Sequence, residues 1–236
     1  MRSASTRSEA FLADTQGRGF TSEAELALDK DFRFLALSVR HTFDIGAYFS
    51  NITPASATVV GAPVQGGAYR FEAIAIKVRG VFTNKVPMDA YRGAGRPEAN
   101  YVLERVIDRA AAELAIDPAE LRARNLPAST TETFAVVTGL QVAGGRFREN
   151  QRICLERADR AGFQERREAA TARGKLRGFG FANYMEANGG LQVADAIAPG
   201  SFVRESESLK FGSDAVVNVI VGTQSSGQNH ALPIQV

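Results

Sequence analysis

The sequence predicts an α+β fold of mixed, mainly antiparallel sheets with helices packed on them. Three observations carry this. Short apolar, partly alternating runs fill the first quarter of the 236-residue chain. From Pro97 the apolar period lengthens to three and four residues, the mark of helices with one buried face. After residue 175 short apolar runs return.

In chain order, "AELALDKDFRFLALSV" (24–39) reads as a hairpin, two apolar runs around the polar turn Asp29-Lys30-Asp31. "FDIGAYFS" (43–50) and "GAYRFEAIAIKVRGVFTN" (67–84) continue as short strands, broken by Gly61, Pro63 and the Gly66-Gly67 pair. The long helix beginning at Pro97 carries its stripe on Ala99, Leu103, Val106, Ala110 and Leu114, widened by Val102 and Ile107. Pro97 suits the first turn, where its missing N–H does no harm, and Glu98 complements the positive helix end. A shorter helix follows, with Asp117 as N-cap, Pro118 in the first turn and Glu120 placed to close a capping box. Residues 127–150 lack pattern and read as a connector. "CLERADRAGFQERREAATARG" reads as one charged helical segment ending at Gly174, and "KLRGFGFANYMEANGG" as the first strand of a new unit. "SESLKFGSDAVVNVIVG" is a second hairpin, turning at Gly212-Ser213-Asp214 and feeding the loop "TQSSGQ".

Composition sets outer bounds. With 28 basic and 26 acidic residues the chain shows no concentrated positive field for nucleic acid or an anionic membrane. No apolar run approaches the roughly 20 residues that span a bilayer, and the N-terminus lacks a secretory h-region. Cytoplasmic residence is the default expectation. One cysteine, Cys154, excludes an internal disulfide framework, and on a helix it reads as a small buried hydrophobe. The two histidines, His41 and His230, stand far apart in sequence and suggest no metal site. Glu186 reads as a solvated or salt-bridged strand residue.

Two loops carry the candidate chemistry. Arg92-Gly93-Ala94-Gly95-Arg96 leads into the long helix. Helix N-termini present unpaired N–H groups, glycines allow close approach, and arginine is suited to bidentate contact with oxyanions. Ser226, Gly227 and Gln228, at the end of a strand, offer hydroxyl, backbone and amide donors to a polar cofactor. Neither loop is a nucleotide fingerprint. On the residues alone, each is an anion-binding loop or an ordinary surface turn.

The stretch "TNKVPMDAYRGAGRPEANYVLERVIDRAAAELAIDPAELRARNL", with "STRSEAFLADTQGR", "AELALDKD", "GAY", "GVFTN", "RGKLRGFGFANYMEANGG" and "GTQSSGQ" in the same order, closely resembles the molybdenum-cofactor-binding subunit of the xanthine dehydrogenase and aldehyde oxidase family, nearest to the carbon monoxide dehydrogenase-like large subunit. The resemblance covers most of the chain. It implies parts of two molybdopterin-binding subdomains: 1–126 from the first, 127–174 a connector and helix, 175–236 the start of the second. It implies molybdopterin as cofactor, plain or as the cytosine dinucleotide, with Arg92, Gly93, Ala94, Ser226, Gly227 and Gln228 at it, and with Arg92 and Gln228 converging on one cavity. Implied too are an iron–sulfur small subunit, an FAD-binding medium subunit, a dimer of heterotrimers, and oxidative hydroxylation of an aldehyde or N-heterocycle by water.

Departures refine this. Copper-containing carbon monoxide dehydrogenases of the family carry cysteine where this chain has Gly93. Relatives acting on ring substrates can carry an aromatic at Ala94. The usual Gly-Gln-Gly is here Gly227-Gln228-Asn229, and Phe32 stands at a hairpin position that is commonly glycine. In the family, a first cofactor loop precedes the stretch matching this chain and a catalytic glutamate follows it. The expectation is therefore a central fragment, inactive alone and only marginally stable. The alternative is a non-catalytic remnant or interaction fragment.

Overall fold

The structure is a computed structural model, and it describes residues 4–50, 53–186, 207–214 and 216–222. The chain divides into two compact units, Met1–Leu191 and Gln192–Val236.

The first unit opens with α1 (Arg7–Ala13), where a strand-rich beginning is expected. Its signal is local. Thr6 accepts from the Glu9 N–H while the Glu9 carboxylate reaches back to the Thr6 N–H at 2.7 Å, a complete capping box. The expected hairpin follows. β1 (Phe20–Leu28) and β2 (Phe34–Gly46) pair antiparallel from Phe20↔Phe43 to Leu28↔Phe34. Asp29 makes the turn, its Oδ1 accepting from the N–H groups of Asp31 and Arg33, each at 2.8 Å. Phe32 closes it at φ +61, the left-handed region where glycine is at ease.

The chain then winds through short helical turns, α2 (Thr53–Ala55), a wide π-type turn (Ser56–Val60) and a 3₁₀ turn (Ala62–Val64). It returns as β3 (Ala73–Phe82), parallel to β2, so the sheet is mixed with order β1-β2-β3.

α3 (Arg96–Glu113) lies against the sheet, chiefly over β1. Leu103 and Ile107, fully buried with Ala111, join Phe34, Leu37, Val39, Tyr69, Leu121 and Leu126 in the main core. Burying each large aliphatic stabilises the fold by about 1.5–3 kcal/mol. The seam differs from the expected stripe. It is centred on Ala99, Leu103, Ile107 and Ala111, with Glu104 buried beside it, while Val106 and Ala110 are only half-buried and Leu114 is exposed.

α4 (Pro118–Asn125) starts as expected, Asp117 accepting from the N–H groups of Ala119 and Glu120 at 2.8 and 3.1 Å. Glu120 does not close a box. Its carboxylate pairs with Arg124 one turn on.

Residues 127–150 are more than a connector. They form the hairpin β4 (Phe134–Ala135) and β5 (Gln141–Val142) and the start of α5 (Phe147–Arg157). The expected single charged helix is two. α5 ends where Asp159 takes φ +46, and α6 (Phe163–Thr171) begins after Gly162. Cys154 is exposed on α5, not buried, because the face of this charged helix that carries it is turned to solvent. Residues 175–186 form no strand. They run without a ladder partner over the first unit, as set out below.

In the second unit β6 (Glu207–Phe211) and β7 (Val217–Val221) pair antiparallel, as the second hairpin requires. Among the described residues no helix is long and apolar enough to cross a membrane.

Candidate functional site

The turn 90–96 is built from the strand side inward. Gln16 bridges to Met88: its N–H donates to Pro87 O at 3.0 Å and its carbonyl accepts from Asp89 N–H at 2.9 Å. The Thr53 hydroxyl donates to Met88 O, and the Ser50 hydroxyl to the Asp89 carboxylate. Beyond these anchors Gly93, Ala94 and Gly95 take φ +99, +45 and +94 in succession. Ala94 N–H donates to Tyr91 O at 2.6 Å and Arg96 N–H to Gly93 O at 3.1 Å.

The glycines serve packing more than open access. A Cβ on Gly95 would lie 1.7 Å from Ser56 O, and one on Gly93 would lie 2.5 Å from Pro97 Cγ. Nor is the helix end a bare anion cradle. Arg96 N–H is used within the turn, and Pro97 has none.

What the turn presents outward is Arg92. Its side chain is exposed, and its guanidinium has no partner among the described residues. The Gly93 N–H makes no hydrogen bond among them either. Two further donors are buried and unpaired, Ser56 Oγ and Arg96 Nε. Arg92, Gly93 and Ala94 thus form one local surface. Ser226, Gly227 and Gln228 lie outside the described residues, as does the expected convergence of Gln228 with Arg92.

Of these groups the ones not buried, the exposed Arg92 guanidinium and the N–H of half-buried Gly93, are donors, and Arg92 is a cation. That set fits a ligand rich in acceptors and negative charge, such as the phosphate, oxo and ring-nitrogen atoms of a molybdopterin. Among the described residues no group of three His, Cys, Asp or Glu side chains is placed to hold a metal ion.

Four features lie on and around α3. Arg18 donates to the Arg92 carbonyl at 2.6 Å and to Glu98 Oε2 at 2.9 Å. Arg96 pairs with Glu186, so the sequence-expected ion pairing of Glu186 is realised on the first residue of α3. His41 lies buried on β2 between Ser22 Oγ at 2.7 Å and Gln65 Oε1 at 2.9 Å, and Gln65 Nε2 donates to Ala99 O at 3.1 Å. With the Gln65 amide so oriented, its Oε1 accepts from His41 Nε2. This chain of hydrogen bonds ties the sheet to the first turn of α3.

The fourth feature is a buried ionic cluster. Arg122 donates through Nε to Glu104 at 2.7 Å and through Nη2 to Asp108 at 2.8 Å. Tyr69 Oη donates to Glu104 at 2.6 Å. Asn183 donates through its backbone N–H to Glu104 at 3.3 Å, and through Nδ2 to Tyr69 and Gln151 at 3.2 and 2.9 Å. Phe181 lies under the Arg122 guanidinium, 4.9 Å from ring centroid to Cζ. Burial pushes the Glu104 carboxyl above its ordinary value, against the pull of Arg122 and the Tyr69 hydroxyl. Burial, then the Glu104 charge, raises the Tyr69 hydroxyl. The segment expected to open a new unit is therefore sewn into the first one.

Comparison with known proteins shows the family. The family model of the molybdopterin cofactor-binding domain matches residues 1–126, which include the whole turn. The gamma subunit of the 6-hydroxypseudooxynicotine dehydrogenase complex of Paenarthrobacter nicotinovorans is 30% identical over 190 residues, 78% of this chain and 24% of that protein. The carbon monoxide dehydrogenase large chain of Hydrogenophaga pseudoflava is 27% identical over 220 residues, 90% of this chain and 27% of that one. Among solved structures, quinoline 2-oxidoreductase from Pseudomonas putida 86 superposes with a TM-score of 0.81 at 32% identity, covering 96% of this chain and 29% of that one. The chain spans about a quarter of the length of the curated relatives it matches. It belongs to the molybdopterin cofactor-binding domain family, the family of the xanthine dehydrogenase and carbon monoxide dehydrogenase molybdenum subunits.

Proposed function

We propose that this chain is the part of a molybdenum hydroxylase large subunit that grips the cofactor through Arg92, Gly93 and Ala94, completed by Ser226, Gly227 and Gln228. The observation that carries the reading is the placement of the exposed, unpartnered Arg92 guanidinium at the outer turn of the matched region. In this reading the cofactor is a molybdopterin, as such or as its cytosine dinucleotide. When bound, it supplies the two-electron redox centre at which water oxygen is transferred to carbon. Substrate C–H and water give C–OH, two protons and two electrons, and the electrons pass to iron–sulfur and flavin groups on partner subunits of a dimer of heterotrimers in the cytoplasm.

The roles of this chain are binding and orientation. Arg92 balances anionic charge with a planar fork of donors. Gly93 N–H adds a backbone donor. Ala94, with only a methyl group, leaves room for a bulky substrate beside the cofactor. Quinoline, in the name of one structural relative, is an N-heterocycle, and among substrate classes this favours N-heterocycles over aldehydes.

The test is the molybdenum and pterin content of the full native polypeptide, unsubstituted and as Arg92→Ala. The expected result is stoichiometric cofactor in the first and a large loss in the second, with equal thermal transitions once both are stripped of cofactor, because Arg92 is exposed and bound cofactor itself raises the transition. Undiminished cofactor in Arg92→Ala would sink the assignment.

A further inference from the structure

We propose that Arg18 is a positioning residue for the cofactor turn, acting through Arg92 and Glu98. The proposal rests on the cofactor reading above for its purpose, though not for its geometry. Arg18 lies 74 residues before Arg92 in sequence, yet its Nη2 donates to the Arg92 carbonyl at 2.6 Å. Its Nη1 pairs with Glu98 Oε2 at 2.9 Å, and that carboxylate is mostly buried. Its guanidinium also stands over the Tyr91 ring, 4.9 Å from Cζ to centroid. One planar, forked cation thus touches Tyr91 and the Arg92 carbonyl within the turn and Glu98 in the first turn of the helix that follows. Lysine, a point charge without the fork, could not do all three.

The backbone is arranged for this reach. The bridge from Gln16 to Met88 sets residues 16–18 alongside the loop. Gly17 passes so close to Tyr91 that a Cβ on it would come within 2.7 Å of Tyr91 Cβ. Arg18 itself sits at φ +69, a conformation that costs a non-glycine residue energy and persists only where the surroundings over-determine it. Such strain at a residue with three separate contacts to one turn indicates a brace. With its carbonyl held from behind, Arg92 keeps its side chain and the adjacent Gly93 N–H directed outward, with little conformational freedom left to lose when a ligand binds.

The experiment compares the full native polypeptide, unsubstituted and as Arg18→Ala and Arg18→Lys, by amide hydrogen exchange, thermal transition and molybdenum content. The informative amides are Ala94, Arg96 and Ala99, whose hydrogen bonds lie in and just after the turn. Arg18→Ala is expected to speed their exchange about tenfold, leave β2 amides unchanged and lower molybdenum content. Arg18→Lys is expected to restore part of the protection through Glu98. Unchanged exchange at those amides in Arg18→Ala, or an equal rise across β2, would overturn the proposal, as would a Lys variant indistinguishable from the unsubstituted protein. Molybdenum in the unsubstituted protein tests the cofactor reading separately: faster local exchange in a protein without molybdenum would uphold the brace and remove its assigned purpose. If Arg18→Ala does not accumulate, the lysine variant alone decides, by raised or unraised exchange at the same amides.

Discussion

Arg122 reaches Glu104 through Nε at 2.7 Å with its side chain fully buried. The pair joins α3 to α4 beneath residues 181–183, so an ionic contact sits where the apolar core would otherwise continue. Removing Arg122 leaves the buried Glu104 carboxylate without its cation, and removing Glu104 leaves the buried Arg122 with Asp108 alone. Glu104→Leu or Arg122→Met alone should each cost about 3–5 kcal/mol in denaturant unfolding. The double substitution should cost less than the sum, since neither charge is then stranded.

Asp44 is placed to make stability depend on acid. Lys85 at 2.8 Å and the Thr83 hydroxyl at 2.5 Å hold its carboxyl below the ordinary value of 3.8, with the Gly46 N–H assisting. The native state therefore releases this proton more readily than the unfolded chain does. Its contribution is fully present above the unfolded value and is lost as pH falls through the lower, folded one. The stability gap between the unsubstituted protein and Asp44→Asn should be constant near neutrality and should shrink as acid is added from about pH 4. A gap that widens in acid would show the sign to be wrong.

Gly95 and Gly139 separate two effects of glycine. Both hold positive φ, +94 and +87, but a Cβ on Gly95 would meet Ser56 O at 1.7 Å while one on Gly139 would meet nothing within 4 Å. Gly139→Ala should cost about 1–2 kcal/mol, the left-handed penalty alone. Gly95→Ala should cost clearly more, measured as ΔΔG of unfolding, and should displace the turn.

Cys154 should behave as a free surface thiol. Ellman's reagent is expected to titrate one thiol per chain without denaturant, because the side chain is exposed. A thiol that reacts only after unfolding would contradict the orientation of α5.

Gly93 bears on the reaction class. Glycine offers no thiolate to hold copper beside molybdenum. On the proposed reading, the full native protein is expected to contain no stoichiometric copper and to show no carbon monoxide-dependent dye reduction. Metal analysis and a dye assay on the purified enzyme check this.

Much of the local structure is legible from neighbours a few residues apart. The Asp29 turn, the Asp117 cap, the helix entered through Pro97 and the hairpin at Gly212 each depend on interactions within about four positions, and pattern reading recovers them. The capping box of Thr6 and Glu9 has the same local character and is passed over only because the strand pattern beside it is louder. The Arg92 turn is legible too, as a glycine-rich helix entry with an arginine, and the ordered family motifs are the ground on which a cofactor role is proposed for it.

Other features depend on partners distant along the chain. The parallel pairing of β2 with β3, the choice of Ile107 over Val106 for the core, the burial of Glu104 with Arg122, the seating of Asn183 on them and the reach of Arg18 to Arg92 all join residues that the sequence separates. A buried carboxylate looks like any surface glutamate until its arginine is placed against it, because the desolvation that distinguishes it is created only by packing. By itself the sequence determined the family, the β1–β2 and β6–β7 hairpins, the starts of α3 and α4 and the candidate arginine of the turn. Only the tertiary structure decided which side chains brace that arginine and which charges the core encloses, since both depend on distances that exist only once the chain has closed on itself.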